Sequence, residues 1–146
     1  MKSIFDRATR DEVINRISTL KENSTAQWGK MNVYQMLKHC SQWEEMLLGR
    51  KQYKQSLLGR VFGKMGLRNM LKDEPLKTNL PTVPAFKVSG KGDVAEAKAE
   101  WIELIAQHSL QESSGFVHPF FGKLTSDQAG RMAYKHSDHH LRQFNV

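Results

Sequence analysis

Cysteine is nearly absent from this chain. One residue, Cys40, stands in 146, which excludes an intramolecular disulfide framework and suits a reducing compartment such as the cytoplasm. Long apolar runs are missing as well: none approaches the ~18 residues that a membrane span requires. The opening Met1-Lys2-Ser3-Ile4-Phe5-Asp6-Arg7 lacks the apolar core of a signal peptide, so a cytoplasmic protein is expected. There is no internal repeat, no low-complexity tract and little that reads as strand. Three of the four prolines fall at 75, 81 and 84, leaving most of the chain free to be helical. Acidic residues are outnumbered, 15 Asp+Glu against 22 Lys+Arg. A composition of this kind is too apolar for disorder, and the length suits one domain, residues 1–146, with a real core.

What is present reads as amphipathic helix. Thr9-Arg10-Asp11-Glu12 has the capping-box pattern, a hydroxyl followed three residues on by a glutamate. Val13, Ile14, Ile17 and Leu20 follow at helical spacing, predicting a first helix over 9–22. Asn32 with Gln35 is a second box. It leads the apolar arc Val33, Met36, Leu37, Cys40, Trp43, Met46 and Leu47, and Gly49 sits where a terminating glycine belongs, giving a helix over 32–48. Residues 50–92 are less regular. Gly59, Gly63 and Gly66 weaken helix there, leaving short helical pieces around 55–71 and an extended, proline-marked connection. A third helix is expected over 93–110, then a loop over 115–122. Thr125-Ser126-Asp127-Gln128 opens a fourth, ending near Phe144. Four such helices with a long second connection predict an all-α protein, a four-helix bundle with a long crossover between its second and third helices.

Three of the six histidines lie within five positions, His136, His139 and His140. Advancing ~100° per residue from Ala129, the apolar face formed by Met132, Ala133 and Phe144 is centred near zero. His136 falls at roughly −20° and His140 at roughly +20°, inside that face; Gln143 is near −40°, and His139 lies at its edge near −80°. His139 therefore reads as a solvated surface residue. Two inward imidazoles at i, i+4 need a partner, because an unpaired buried imidazole is costly. They can grip one metal ion, or hydrogen-bond within the core. A third ligand is open between His39, which borders the buried arc of the second helix, His108 and His118. Cys40 lies further into that arc and reads as a small core residue rather than a ligand.

These segments together carry a resemblance. Trp28-Gly29-Lys30-Met31-Asn32 with Gln35-Met36-Leu37-Lys38-His39-Cys40, then His118-Pro119-Phe120-Phe121-Gly122-Lys123-Leu124-Thr125, then His136-Ser137-Asp138-His139-His140-Leu141-Arg142-Gln143-Phe144, resemble the DinB-like superfamily, in a bacterial branch of uncharacterised domains. The likeness spans nearly the whole chain in order. It implies a four-helix bundle of DinB-like topology and a divalent metal on three histidines, which map onto His39, His136 and His140. It also implies homodimers in many members and thiol-dependent transferase activity in some.

Three neutral imidazoles leave an ion its full charge and an open position, the pattern of catalytic rather than structural sites. Water or a low-molecular-weight thiol can bind there with a lowered pKa. That suits a transferase or a hydrolase acting on an unidentified small molecule. Zinc or nickel comes first for such donors, with iron, copper and manganese also compatible. A rival reading is a non-catalytic helical binding or dimerisation module. Another rests on Arg60, Lys64, Arg68 and Lys72, a basic stripe opposite Leu58, Val61, Phe62 and Met65 that could face anionic membrane or nucleic acid. No set of stacking aromatics lies beside those charges, which disfavours nucleic acid against a solvated face.

Overall fold

Two capping boxes open the two longest helices. Asn32 accepts from the Gln35 amide at 2.8 Å while the Gln35 side chain accepts from Asn32 N, and Thr125 and Gln128 make the same reciprocal pair. In the computed structural model, residues 1–108 and 117–146 are described. Over them run five helices, α1 (Arg7–Thr19), α2 (Val33–Leu47), α3 (Leu57–Met70), α4 (Val94–Gln107) and α5 (Ser126–Gln143). A 3₁₀ turn occupies Pro84–Phe86, and a two-stranded antiparallel hairpin pairs β1 (Val117–His118) with β2 (Gly122–Lys123). The protein is mostly helical.

α1 packs on α4 and α5, and α2 packs on the same two. Their shared core holds Ile17, Met36, Leu37, Trp101, Ile105 and Met132, all buried. Full burial of each such side chain contributes roughly 1.5–3 kcal/mol. α2 ends as the sequence indicates. Gly49 adopts φ +74°, its amide reaches Met46 O and the Arg50 amide reaches Glu45 O. That is the double closure a left-handed glycine permits. α4 starts from Asp93, whose carboxylate accepts from Glu96 N at 2.9 Å.

Three expectations shift. The first helix starts at Arg7, with Asp6 as N-cap and no side-chain cap bond, so the Thr9–Glu12 box does not form. Tertiary bonds fix this end instead: Ile4 N donates to Gly130 O, and the buried Arg10 guanidinium donates to the carbonyls of Ile4 and Phe5. It stops at Thr19 because Lys98 Nζ captures the carbonyls of Ser18 and Leu20. Residues 57–70 form one continuous helix rather than short pieces, because the glycines are its packing face. A Cβ on Gly59 or Gly63 would lie 2.3 or 2.4 Å from Phe120 O in the hairpin. Part of the expected loop, 117–122, is that hairpin. The ends expected at 109–110 and 115–116 lie outside the described residues.

The long connection after α3 closes over α5. Lys135 Nζ donates to the carbonyls of Lys72 and Glu74. Further along, the 3₁₀ turn seats Phe86 in the core against α2.

Candidate metal centre

α2 and α5 bring His39, His136 and His140 to one point. Their ring centroids are 4.9 Å (39–136), 4.8 Å (39–140) and 4.7 Å (136–140) apart. One ring nitrogen from each lies within 4.8 Å of the others. His39 Nε2 and His136 Nε2 are 2.9 Å apart. Two lone pairs at that separation repel unless a proton or a cation lies between them. Around a tetrahedral ion with bonds of about 2.0–2.1 Å, neighbouring nitrogens sit about 3.3 Å apart, so the His39–His136 pair would open by a few tenths of an ångström and any wider separation in the set, up to 4.8 Å, would close onto the ion.

The remaining nitrogens set the rings. His39 Nδ1 donates to Phe86 O at 2.9 Å, and His140 Nδ1 donates to Gln143 Oε1 at 2.8 Å. Gln143 is itself oriented, because its Nε2 donates to Trp28 O at 2.7 Å. Both rings thus keep Nε2 as the lone-pair nitrogen, the arrangement in which the outer N–H of a ligating histidine is held by an acceptor. His136 Nδ1 is buried without a hydrogen-bond partner among the described residues. Trp43 stacks on the His136 ring at 4.8 Å and 25° and keeps water from that side.

The model of a family described as protein of unknown function (DUF1569) matches residues 4–146. The chain belongs to that family. No curated protein and no solved structure matches it. Membership in DUF1569 carries no assigned chemistry, so the site of this family member has to be read from its own electrostatics.

Burial first, and then the neighbouring imidazoles His140 and His39, hold His136 well below the usual histidine pKa. Burial lowers His39, partly countered by its bond to Phe86 O. Burial followed by the nearby His39 lowers His140 to about 3. All three are therefore neutral near pH 7, the form that binds metal. Among the described residues no carboxylate joins the group. The donor set is three neutral nitrogens, compatible with a divalent ion such as zinc, nickel, copper or iron.

The other histidines have separate tasks. His118 Nδ1 accepts from the amides of Phe120 and Phe121, both at 3.0 Å, and its ring stacks on Phe121. It staples the hairpin and reaches the site through Trp43 and Phe86, whose rings are 4.9 and 5.9 Å from its own. His108 Nε2 meets the fully buried Glu44 carboxylate at 2.6 Å. Cys40 is a core thiol against Met36 Sδ, and burial raises its pKa well above the usual value. His139 is not a solvated residue. It is 8% exposed and packed on Trp28 at 5.6 Å, with the Leu76 backbone close enough to act on its ring. Segments remote in sequence cover the flank that helical phase alone leaves open. Helical spacing gives no sign of Phe86, whose carbonyl holds the His39 ring, or of Trp28, whose carbonyl holds Gln143; it does mark Gln143, three residues beyond His140 on the inward side.

Proposed function

We propose that residues 1–146 form one DinB-like domain, a four-helix bundle of α1, α2, α4 and α5 that holds a divalent metal on His39, His136 and His140. One observation supports this above all. Three neutral imidazoles converge, and two of them have the outer nitrogen tied to an acceptor, so that Nε2 faces inward. Buried histidines that merely fill a core do not need their inner nitrogens aimed together.

Bound there, a divalent ion would supply Lewis acidity, lowering the pKa of a water or low-molecular-weight thiol that shares it. The chain's part is positional. Phe86 O and Gln143 Oε1 hold the Nδ1 protons of His39 and His140, and Trp43 and Phe86 shield the rings from solvent. This supports a metal-dependent transferase or hydrolase, with zinc or nickel as the leading ions. A cytoplasmic setting and a homodimer complete the reading, the first from the single buried thiol and the second from the resemblance.

The 2.9 Å contact between His39 and His136 favours a second reading, in which the imidazoles only hydrogen-bond to one another inside a binding module. Metal analysis of untagged protein after loading separates the two. The metal reading expects about one ion per chain, lost in His136→Ala and His140→Ala. Equal and negligible metal in wild type and both variants removes it.

A further inference from the structure

α3 turns its apolar side outward. Leu57, Leu58, Val61 and Met65 are 78%, 67%, 72% and 60% exposed, and Phe62 is 47% exposed. At ~100° per residue these five fall within an arc of roughly 140°, with Arg60 and Lys64 just outside one border and Arg68 just inside it, so the basic residues adjoin the apolar ones rather than standing opposite them as expected. The opposite side is the glycine stripe, seated so closely on the hairpin backbone that the helix cannot roll over to bury the apolar residues. Ser56 N bonded to Pro119 O at 2.8 Å and Gln55 Nε2 bonded to Phe120 O at 3.1 Å fix the same orientation.

The charge around this face has one sign. From Arg50 to Lys72 there are seven Lys or Arg and no Asp or Glu. Lys54, Arg60, Lys64 and Arg68 are exposed, and none forms an ion pair among the described residues. A contiguous apolar face of this size on a soluble surface marks an interaction site. Its basic border narrows the choice. A nucleic acid would meet the charges and leave the apolar residues in water. A second copy of the same face would bring no carboxylate to the arginines and lysines. An anionic lipid surface satisfies both features, with apolar side chains at the acyl boundary and basic ones at the headgroups.

We propose that α3 is an interfacial helix that docks this protein reversibly on anionic membrane, Leu57, Leu58, Val61, Phe62 and Met65 entering and Lys54, Arg60, Lys64 and Arg68 pairing with lipid headgroups. No helix among the described residues is long and apolar enough to cross a bilayer, so the attachment is peripheral. The inference is independent of the histidine site.

The test is flotation of the full chain with phosphatidylcholine vesicles, with and without phosphatidylglycerol, at low and high salt. Wild type floats with the anionic vesicles at low salt and is released by high salt. Each charge removed lowers partitioning about fivefold, so the triple variant Arg60→Gln/Lys64→Gln/Arg68→Gln binds about 100-fold more weakly. Val61→Glu/Met65→Glu abolishes flotation. All of these positions are exposed, so circular dichroism and metal content stay at wild-type values. In Phe62→Trp, the emission shifts to the blue on anionic vesicles only. Wild type that stays in the soluble fraction at low salt overturns the proposal, whether the face then proves to join two copies or to retard nucleic acid. Flotation that survives Val61→Glu/Met65→Glu overturns it too, because binding then lies elsewhere.

Discussion

Replacing His118 with asparagine isolates one buried histidine's share of the protein's acid sensitivity. His118 is 2% exposed, and burial holds its pKa at about 3. Its Nδ1 already accepts two backbone amides, so protonating that atom would also break both bonds. In the unfolded chain the pKa is about 6.5. The folded pKa is the lower one, so the unfolded state takes up the proton first as pH falls. The stability is therefore complete above about pH 6.5 and is lost progressively on the way down to about pH 3. At pH 5 the unfolded imidazole is about 97% protonated and the buried one nearly all neutral, a difference of about 1.5 log units, or about 2 kcal/mol. The figure rises to about 4 kcal/mol at pH 3. Asparagine keeps an acceptor for the Phe120 and Phe121 amides and does not titrate. Urea unfolding of wild type and His118→Asn at pH 7 and pH 5 reads the difference. Wild type loses about 2 kcal/mol more than the variant over that interval. The other buried histidines contribute to both proteins and cancel. Parallel losses would refute the assignment of His118 as a neutral, buried staple.

Three further outcomes follow from the same geometry. Gln143→Leu removes the acceptor for His140 Nδ1 and the donor to Trp28 O, and chelator competition is expected to read metal affinity about 10- to 100-fold weaker; unchanged affinity would show that the Gln143 bond is not used to aim the ring. Gly63→Ala places a methyl 2.4 Å from a backbone carbonyl, so despite a helix-propensity gain of up to ~1 kcal/mol it destabilises by roughly 1–2 kcal/mol in thermal unfolding, whereas a raised Tm would contradict the close seating of α3 on the hairpin. Cys40, fully buried with its pKa raised, reacts with a thiol reagent only on unfolding, and fast labelling of native protein would mean that the α2 core is open.

Some of the fold is written locally, and that part is legible in the sequence. Asn32 with Gln35, Thr125 with Gln128, Asp93 and Gly49 act within four residues of themselves, so helix ends set by them are readable. The start of α1 is not, because the Gly130 carbonyl and the Arg10 guanidinium settle it across the fold. α3 is obscured for a similar reason. A glycine stripe lowers helix propensity until the Phe120–Phe121 backbone occupies the space it leaves. At the site, helical phase turns His136 and His140 inward because the apolar face belongs to their own helix. Phase misplaces His139, since Trp28 and Leu76 cover its flank from distant segments. The third imidazole lay beyond spacing altogether. α2 packed against α5 brings His39 there, while Glu44 and the hairpin amides take His108 and His118 elsewhere.

The central claim is that α2 and α5 share one metal ion, and His39→Ala tests it most directly. Untagged wild type and variant are titrated with zinc and with nickel against a chromophoric chelator near neutral pH. The account predicts one tightly bound ion per wild-type chain and affinity in His39→Ala lower by more than ~100-fold, the loss of a ligand exceeding that of a supporting bond. Equal affinity in the two proteins, or no binding by wild type, would contradict it.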